Sequence, residues 1–176
     1  MEIHSEDYLG YWLFYAQRSV AYAFYEALKA CCLEHKKPYV VTPPQWGLLI
    51  LLIEQDGQTI GTLSQKRAID APTMTGIVRR LEQNGLVERR HDREDRRLVM
   101  VYLTAEGRDI MQYLPDATRA FNEIMVQGIS KAEQRDMLAK LQKIIANLSA
   151  VGPGTGDRFG ILPDFMQLDQ GYIEQR

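Results

Sequence analysis

Met74, Ile77, Val78 and Leu81 recur at the i, i+3, i+4, i+7 spacing of one helix face. Asp70-Ala71-Pro72 makes the turn into this helix, and Gly85 supplies its C-terminal stop. A shorter helix lies ahead, over about Gly61–Ala68, with Leu63 as its main core anchor. Behind Gly85, Leu86-Val87-Glu88-Arg89 begins a strand, and His91 to Arg96 form a charged turn. Leu98 to Leu103 then alternate in and out before Thr104 caps the next helix. Helix, turn, helix and β-ribbon in this order leave the stretch from Thr59 to Thr104 few ways to fold.

That order makes a winged helix-turn-helix, a module that sets one helix in the DNA major groove. At 100° per residue, the face opposite the apolar stripe carries Pro72, Gly76 and Arg79, flanked by Thr73, Thr75 and Arg80. Gly76 in mid-helix costs about 1 kcal/mol relative to alanine, which a close approach of that face to another surface accounts for. Charge is distributed to match. Between Leu63 and Leu103 nine Lys/Arg face six acids, although the whole chain carries a net charge of −2. A basic patch on an acidic body suits a polyanion as partner for one segment only. In the ribbon turn, Asp95 stands two residues before Arg97, a spacing at which a charge-assisted hydrogen bond can pin the arginine.

The flanks are helical. From Tyr8 to about His35 apolar residues occur almost all round the wheel, so this helix is expected to be buried on more than one side, by a subunit interface, a ligand cavity, or both. Lys36-Lys37-Pro38 ends it. Thr42-Pro43-Pro44 opens a second helix, an apolar core helix over Gln45–Gln55, and Asp56-Gly57 stops it. A long helix is predicted from Ala105 to about Gln127, bent at Pro115 and ended by Gly128. Ser130-Lys131-Ala132-Glu133 is a capping box for a last helix carrying Met137, Leu138, Leu141, Ile144, Ile145 and Leu148. The expected fold is therefore mainly α with a small β-wing. Residues 43–104 form the winged helix-turn-helix lobe, and residues 1–42 with 105–150 form a helical dimerisation lobe. The C-terminal tail, 151–176, opens on a glycine-rich break at 152–156, and its apolar remainder either docks on its own dimer or trails as a disordered end.

With the module placed, the chain resembles the MarR family of bacterial winged-helix regulators over roughly residues 8 to 150. The likeness is carried by Leu63, Thr73, Thr75, Leu81-Glu82-Gln83-Asn84-Gly85-Leu86-Val87, Asp95-Arg96-Arg97 and Leu103-Thr104-Ala105-Glu106-Gly107. Gly128-Ile129-Ser130 with Glu133 matches the family's joint between its last two helices. Each motif alone is weak; their order and combined spacing are specific. The resemblance implies a homodimer on double-stranded DNA, with two recognition helices in successive major grooves of a pseudo-palindrome and wings in the flanking minor grooves. It implies that Pro72, Thr73, Thr75, Gly76 and Arg79 face base edges or nearby backbone. Arg97, held by Asp95, would be the minor-groove arginine, with Arg96 and Arg93 near phosphates.

The expected function is a sequence-specific repressor released by a small effector. Tyr11, Tyr15, Arg18 and Trp46 are the ligand-pocket candidates: the arginine can pair with a carboxylate and the rings can bracket a planar molecule. An aromatic acid is the implied effector, although dimer core and surface pairing account for each of these residues singly. Two other signals or roles stay open: a thiol-based redox sensor using Cys31 or Cys32, and a winged helix that contacts only protein. Adjacent cysteines do not easily form an ordinary disulfide. His4, His35 and His91 stand near no metal-ligand spacing or nucleophile pair, so no enzyme, metal or cofactor is expected. No basic stretch leads into an apolar one at the N-terminus, and the longest strongly apolar run, Trp46–Ile53, is too short to cross a bilayer. A reducing cytoplasm is the expected setting, with no membrane partner.

Overall fold

The structure, a computed structural model, describes residues 4–92 and 95–149. A single 3-10 turn, Ser5–Asp7, precedes α1 (Leu9–Glu34), α2 (Pro43–Glu54), β1 (Gln58–Thr59) and α3 (Ile60–Arg67). Then come α4 (Ala71–Gln83), β2 (Val87–His91), β3 (Val99–Leu103), α5 (Ala105–Ile110), α6 (Leu114–Met125) and α7 (Lys131–Ser149). The arrangement is the expected one, mainly helical with a small antiparallel sheet.

Two features depart from the expectation. The ribbon gains a third strand: β1 pairs with β3 through Gln58↔Val101 and Thr59↔Met100, giving the order β1-β3-β2. The helix predicted from Ala105 to Gln127 is not one bent helix but two, broken at Met111–Tyr113. Pro115 explains the break. It has no N–H to give to the carbonyl four residues earlier, so it sits in the first turn of a new helix, where none is needed. The backbone bridges the gap with turn hydrogen bonds, Gln112 N–H to the Asp109 carbonyl and Tyr113 N–H to that of Ile110.

The core is continuous. Leu48, Leu49 and Leu52 of α2 meet Leu63 of α3, the α4 stripe, Leu86, Val101 and Leu103, and the same cluster runs into Leu28 and Cys32 of α1 and Ile110 and Leu114 around α5. Its joints are polar. The Gln58 amide donates to the Leu51 and Gln55 carbonyls, covering the last turn of α2. The Asp56 carboxylate accepts the Leu103 N–H at 2.9 Å and the Arg108 guanidinium at 2.5 Å, joining the end of α2 to β3 and α5. Lys37, just after α1, contacts Glu106 at 2.9 Å and Asp109 at 2.6 Å, and the Tyr39 hydroxyl donates to Glu106.

α1 behaves differently along its length. Its C-terminal half enters the core, whereas Tyr8, Leu9, Trp12, Phe14 and Tyr15 stand exposed. Phe24 stacks on Phe121 of α6 with ring centroids 5.0 Å apart. No described residue of α7 is buried.

Candidate nucleic-acid interface

Capping chemistry fixes the helix pair. The Thr59 hydroxyl accepts the Thr62 N–H and starts α3. α3 ends at Ala68, whose left-handed φ of 49° is unusual for a residue with a side chain. Asp70 then caps α4, its carboxylate accepting the Thr73 N–H at 2.9 Å. The Thr73 hydroxyl and amide hold the Asp70 carboxyl below its usual range, so the cap is anionic at neutral pH. At the other end Gly85 adopts φ +71°, and the Leu86 N–H reaches back to the Leu81 carbonyl.

The end of α4 is bolted to α5. Thr104 donates its N–H to the Leu86 carbonyl and its hydroxyl to that of Gly85. Gly107 follows so closely that a Cβ there would come within 2.1 Å of the Leu86 carbonyl oxygen. The recognition helix therefore cannot shift without α5, the element that leads into the helical flanks.

With Met74, Ile77, Val78 and Leu81 buried, Pro72, Thr73, Thr75, Arg79 and Arg80 are exposed and Gly76 half-buried, as the helical wheel predicts. The Thr75 hydroxyl donates to the Ala71 carbonyl at 2.7 Å. At Gly76 a Cβ would meet only the Arg80 guanidinium, 3.9 Å away, so internal packing gives no reason for a glycine there.

The wing pairs Val87↔Leu103 through His91↔Val99. Its tip is closed by Asp95, whose N–H is accepted by the Asp92 carboxylate and whose carboxylate accepts the Arg97 backbone N–H at 3.0 Å. The expected pinning of Arg97 takes a different form: Asp95 fixes the backbone of the turn, and no ion pair joins the two side chains. Arg93 lies outside the described residues, as does the tail beyond residue 149.

The arginines divide into two sets. Arg89 is held by Glu82 at 2.5 Å, and Arg90 by Glu88 with its guanidinium over the Tyr102 ring. Arg79, Arg80, Arg96 and Arg97 are exposed and make no ion pair among the described residues. These four unpaired arginines stand on the helix face and wing tip expected to meet DNA. One cation of the basic segment is misplaced by simple counting: Arg67 turns inward, lining a groove with Trp46 instead of joining the basic surface. Its position four residues after Leu63 was the available signal.

The four ligand candidates do not converge within one chain. Trp46 lines the groove between α1, α2 and α3. Tyr11 and Tyr15 pack together with centroids 4.6 Å apart, and Arg18 lies over Phe14; none of the three lines that groove. Among the described residues no group of His, Cys, Asp and Glu is placed to hold a metal, and no helix is long and apolar enough to cross a membrane.

Comparison with known proteins agrees with this geometry. The MarR family model matches residues 41–99, from two residues before α2 to the first residue of β3. The HTH-type transcriptional regulator TtmR of Methylorubrum extorquens is 30% identical over 141 residues, covering 78% of this chain and 68% of TtmR. A MarR-family transcriptional regulator from Silicibacter pomeroyi is 27% identical with a TM-score of 0.59, over 87% of this chain and 99% of that one. Bordetella bronchiseptica BpsR, whose DNA binding is regulated by 6-hydroxynicotinic acid, shares the fold at 24% identity, with a TM-score of 0.69 over 82% and 97% of the two chains. The chain belongs to the MarR family of DNA-binding transcriptional regulators.

Proposed function

We propose that this regulator is a repressor that binds a pseudo-palindromic operator as a homodimer and releases it when a small aromatic acid binds between its lobes. The carrying observation is the set of exposed arginines without ion-pair partners among the described residues, Arg79, Arg80, Arg96 and Arg97, on one helix face and one wing tip. In this reading Pro72, Thr73, Thr75, Gly76 and Arg79 approach base edges, Arg97 enters the minor groove, and Arg96 meets phosphate. Asp95 sets the tip from which Arg97 projects. A two-fold dimer places its half-sites one duplex turn, about 34 Å, apart.

Exposed apolar surface supports the dimer. Tyr22 of α1 is 70% exposed and Ile124 of α6 is 72% exposed, and Met137, Leu138 and Leu148 extend the apolar surface along α7. A second copy gives these residues a place to go. The effector reading is supported by the Trp46 groove and by the regulation of BpsR, a protein of the same fold. Cys31 and Cys32 argue against a thiol signal: both are buried, and desolvation pushes both thiols above their ordinary range, away from the reactive thiolate.

Operator binding at several salt concentrations tests the DNA reading. Arg79→Ala should cost on the order of 1–3 kcal/mol and relax sequence preference, whereas Arg97→Ala should weaken binding and reduce its salt slope. Binding unaffected by both substitutions would end the proposal.

A further inference from the structure

Arg67 is the last residue of α3 and follows Leu63 by four positions, so helical geometry sets both on the inward face. Leu63 is fully buried, and Arg67 brings a permanent charge to the same stripe. Its Nε is buried and has no hydrogen-bond partner. Burial alone moves its pKa, downward, which marks desolvation without a compensating acid. Arg67 is half-buried, and a guanidinium partly withdrawn from water with no acid beside it is stabilised by an anion that reaches it.

The fold makes room for it. A Cβ on Gly47 of α2 would come within 2.5 Å of the Arg67 guanidinium carbon, so the absence of a side chain there lets the guanidinium lie against α2. It borders a groove of ≈ 720 Å³ shared with Trp46, Phe24, Gln17 and Ile69. No carboxylate among the described residues lines that groove. The volume is in the range of small-molecule sites. A guanidinium fork matches a carboxylate, and the flanking rings match a flat apolar body. One cation balances a monoanion, which favours a carboxylate over a phosphate dianion.

We infer that Arg67 is the anchor for the effector's carboxylate, with Gly47 as the residue that shapes its seat. This rests on the ligand-released reading above and moves the charge partner from Arg18 to Arg67. It also supplies a route to DNA. Arg67 directly precedes Ala68, the left-handed turn residue, and Asp70, the cap of α4, follows three positions after Arg67. A ligand that draws on Arg67 acts on the turn orienting the recognition helix, so ligand and operator affinities are linked.

Benzoate and its uncharged analogue benzamide are the probes, titrated by calorimetry into the full-length protein, with operator affinity measured in parallel. Benzoate should bind at least tenfold tighter than benzamide and weaken operator binding. Arg67→Leu should erase that preference while leaving the melting temperature unchanged or higher. Gly47→Ala, which leaves the charge in place but crowds the guanidinium, should lower benzoate affinity severalfold. Equal affinities for the two probes in the wild-type protein would overturn the assignment, and so would undiminished benzoate binding in both variants. Loss of dimer or fold in Arg67→Leu with wild-type benzoate binding in Gly47→Ala would also overturn it, pointing instead to an acid from the second copy. Benzoate binding through Arg67 in a protein that binds no operator would sink the repressor reading and leave the anchor standing.

Discussion

Leu81 of α4 and Leu138 of α7 are both leucines on amphipathic helices, yet the first is fully buried and the second 49% exposed. α4 presses its stripe onto α2, α3 and β2 of the same chain, while no described residue of α7 is fully buried. The contrast repeats in the polar chemistry. The ends of α3 and α4 are capped and tied to the wing and α5 by named hydrogen bonds, while the flanking helices leave Tyr22 and Ile124 in solvent. The winged-helix segment therefore completes its core within one chain, whereas the flanks leave apolar surface exposed that the proposed dimer would cover. Hydrophobic periodicity looks alike in both cases; what differs is where the opposing surface comes from.

Truncating the two leucines separates the cases and carries the largest expected effect. Leu81→Ala should destabilise by about 2–5 kcal/mol through lost transfer energy and a cavity. It should do so at every protein concentration and abolish operator binding. Leu138→Ala should instead shift the monomer–dimer midpoint in sedimentation and make the melting temperature more concentration-dependent. A concentration-independent loss of similar size in Leu138→Ala would break the comparison.

Most of the helix-turn-helix was legible because its signals are local. The Met74-Ile77-Val78-Leu81 stripe, Gly85 at the end of α4 and Thr104 at the start of α5 act within a few residues and read directly. β1 was not legible, because two residues have no period and pair only through β3. The break before α6 was signalled by Pro115 but placed wrongly as a bend, since the competing turn bonds at Asp109 and Ile110 leave no mark in sequence. The links from Lys37 and Tyr39 to Glu106 join residues nearly seventy positions apart and belong to tertiary structure alone. Arg67 is the instructive miss. Counting charge put it on the basic surface, while its register with Leu63 already pointed inward.

Gly76 sharpens the contrast between stability and function within α4 itself. A Cβ there has room, and alanine is the better helix former by about 1 kcal/mol. Gly76→Ala should therefore raise the denaturant midpoint. The same methyl group would stand between the helix face and DNA, so operator affinity should fall severalfold. A variant that is more stable and binds equally well would remove the close approach as the reason for the glycine.

The smallest effect lies at the joint between the lobes. The Tyr39 hydroxyl first, and the Lys37 ammonium second, hold the Glu106 carboxyl below its usual range. A carboxyl with a depressed folded-state pKa adds stability above its unfolded value, near 4.3, and loses it as pH falls through the folded value. The Glu106 contribution is thus present at neutral pH and disappears in acid, below about pH 4. Glu106 is partly exposed, so solvent screening limits it to on the order of 1 kcal/mol or less. Glu106→Gln should lower the melting temperature slightly at pH 7 and flatten its decline between pH 5 and about pH 3. If the acid limb keeps its wild-type slope, the joint is held by α5 packing and Gly107 instead of by this charge cluster, and the lobes are coupled through shape.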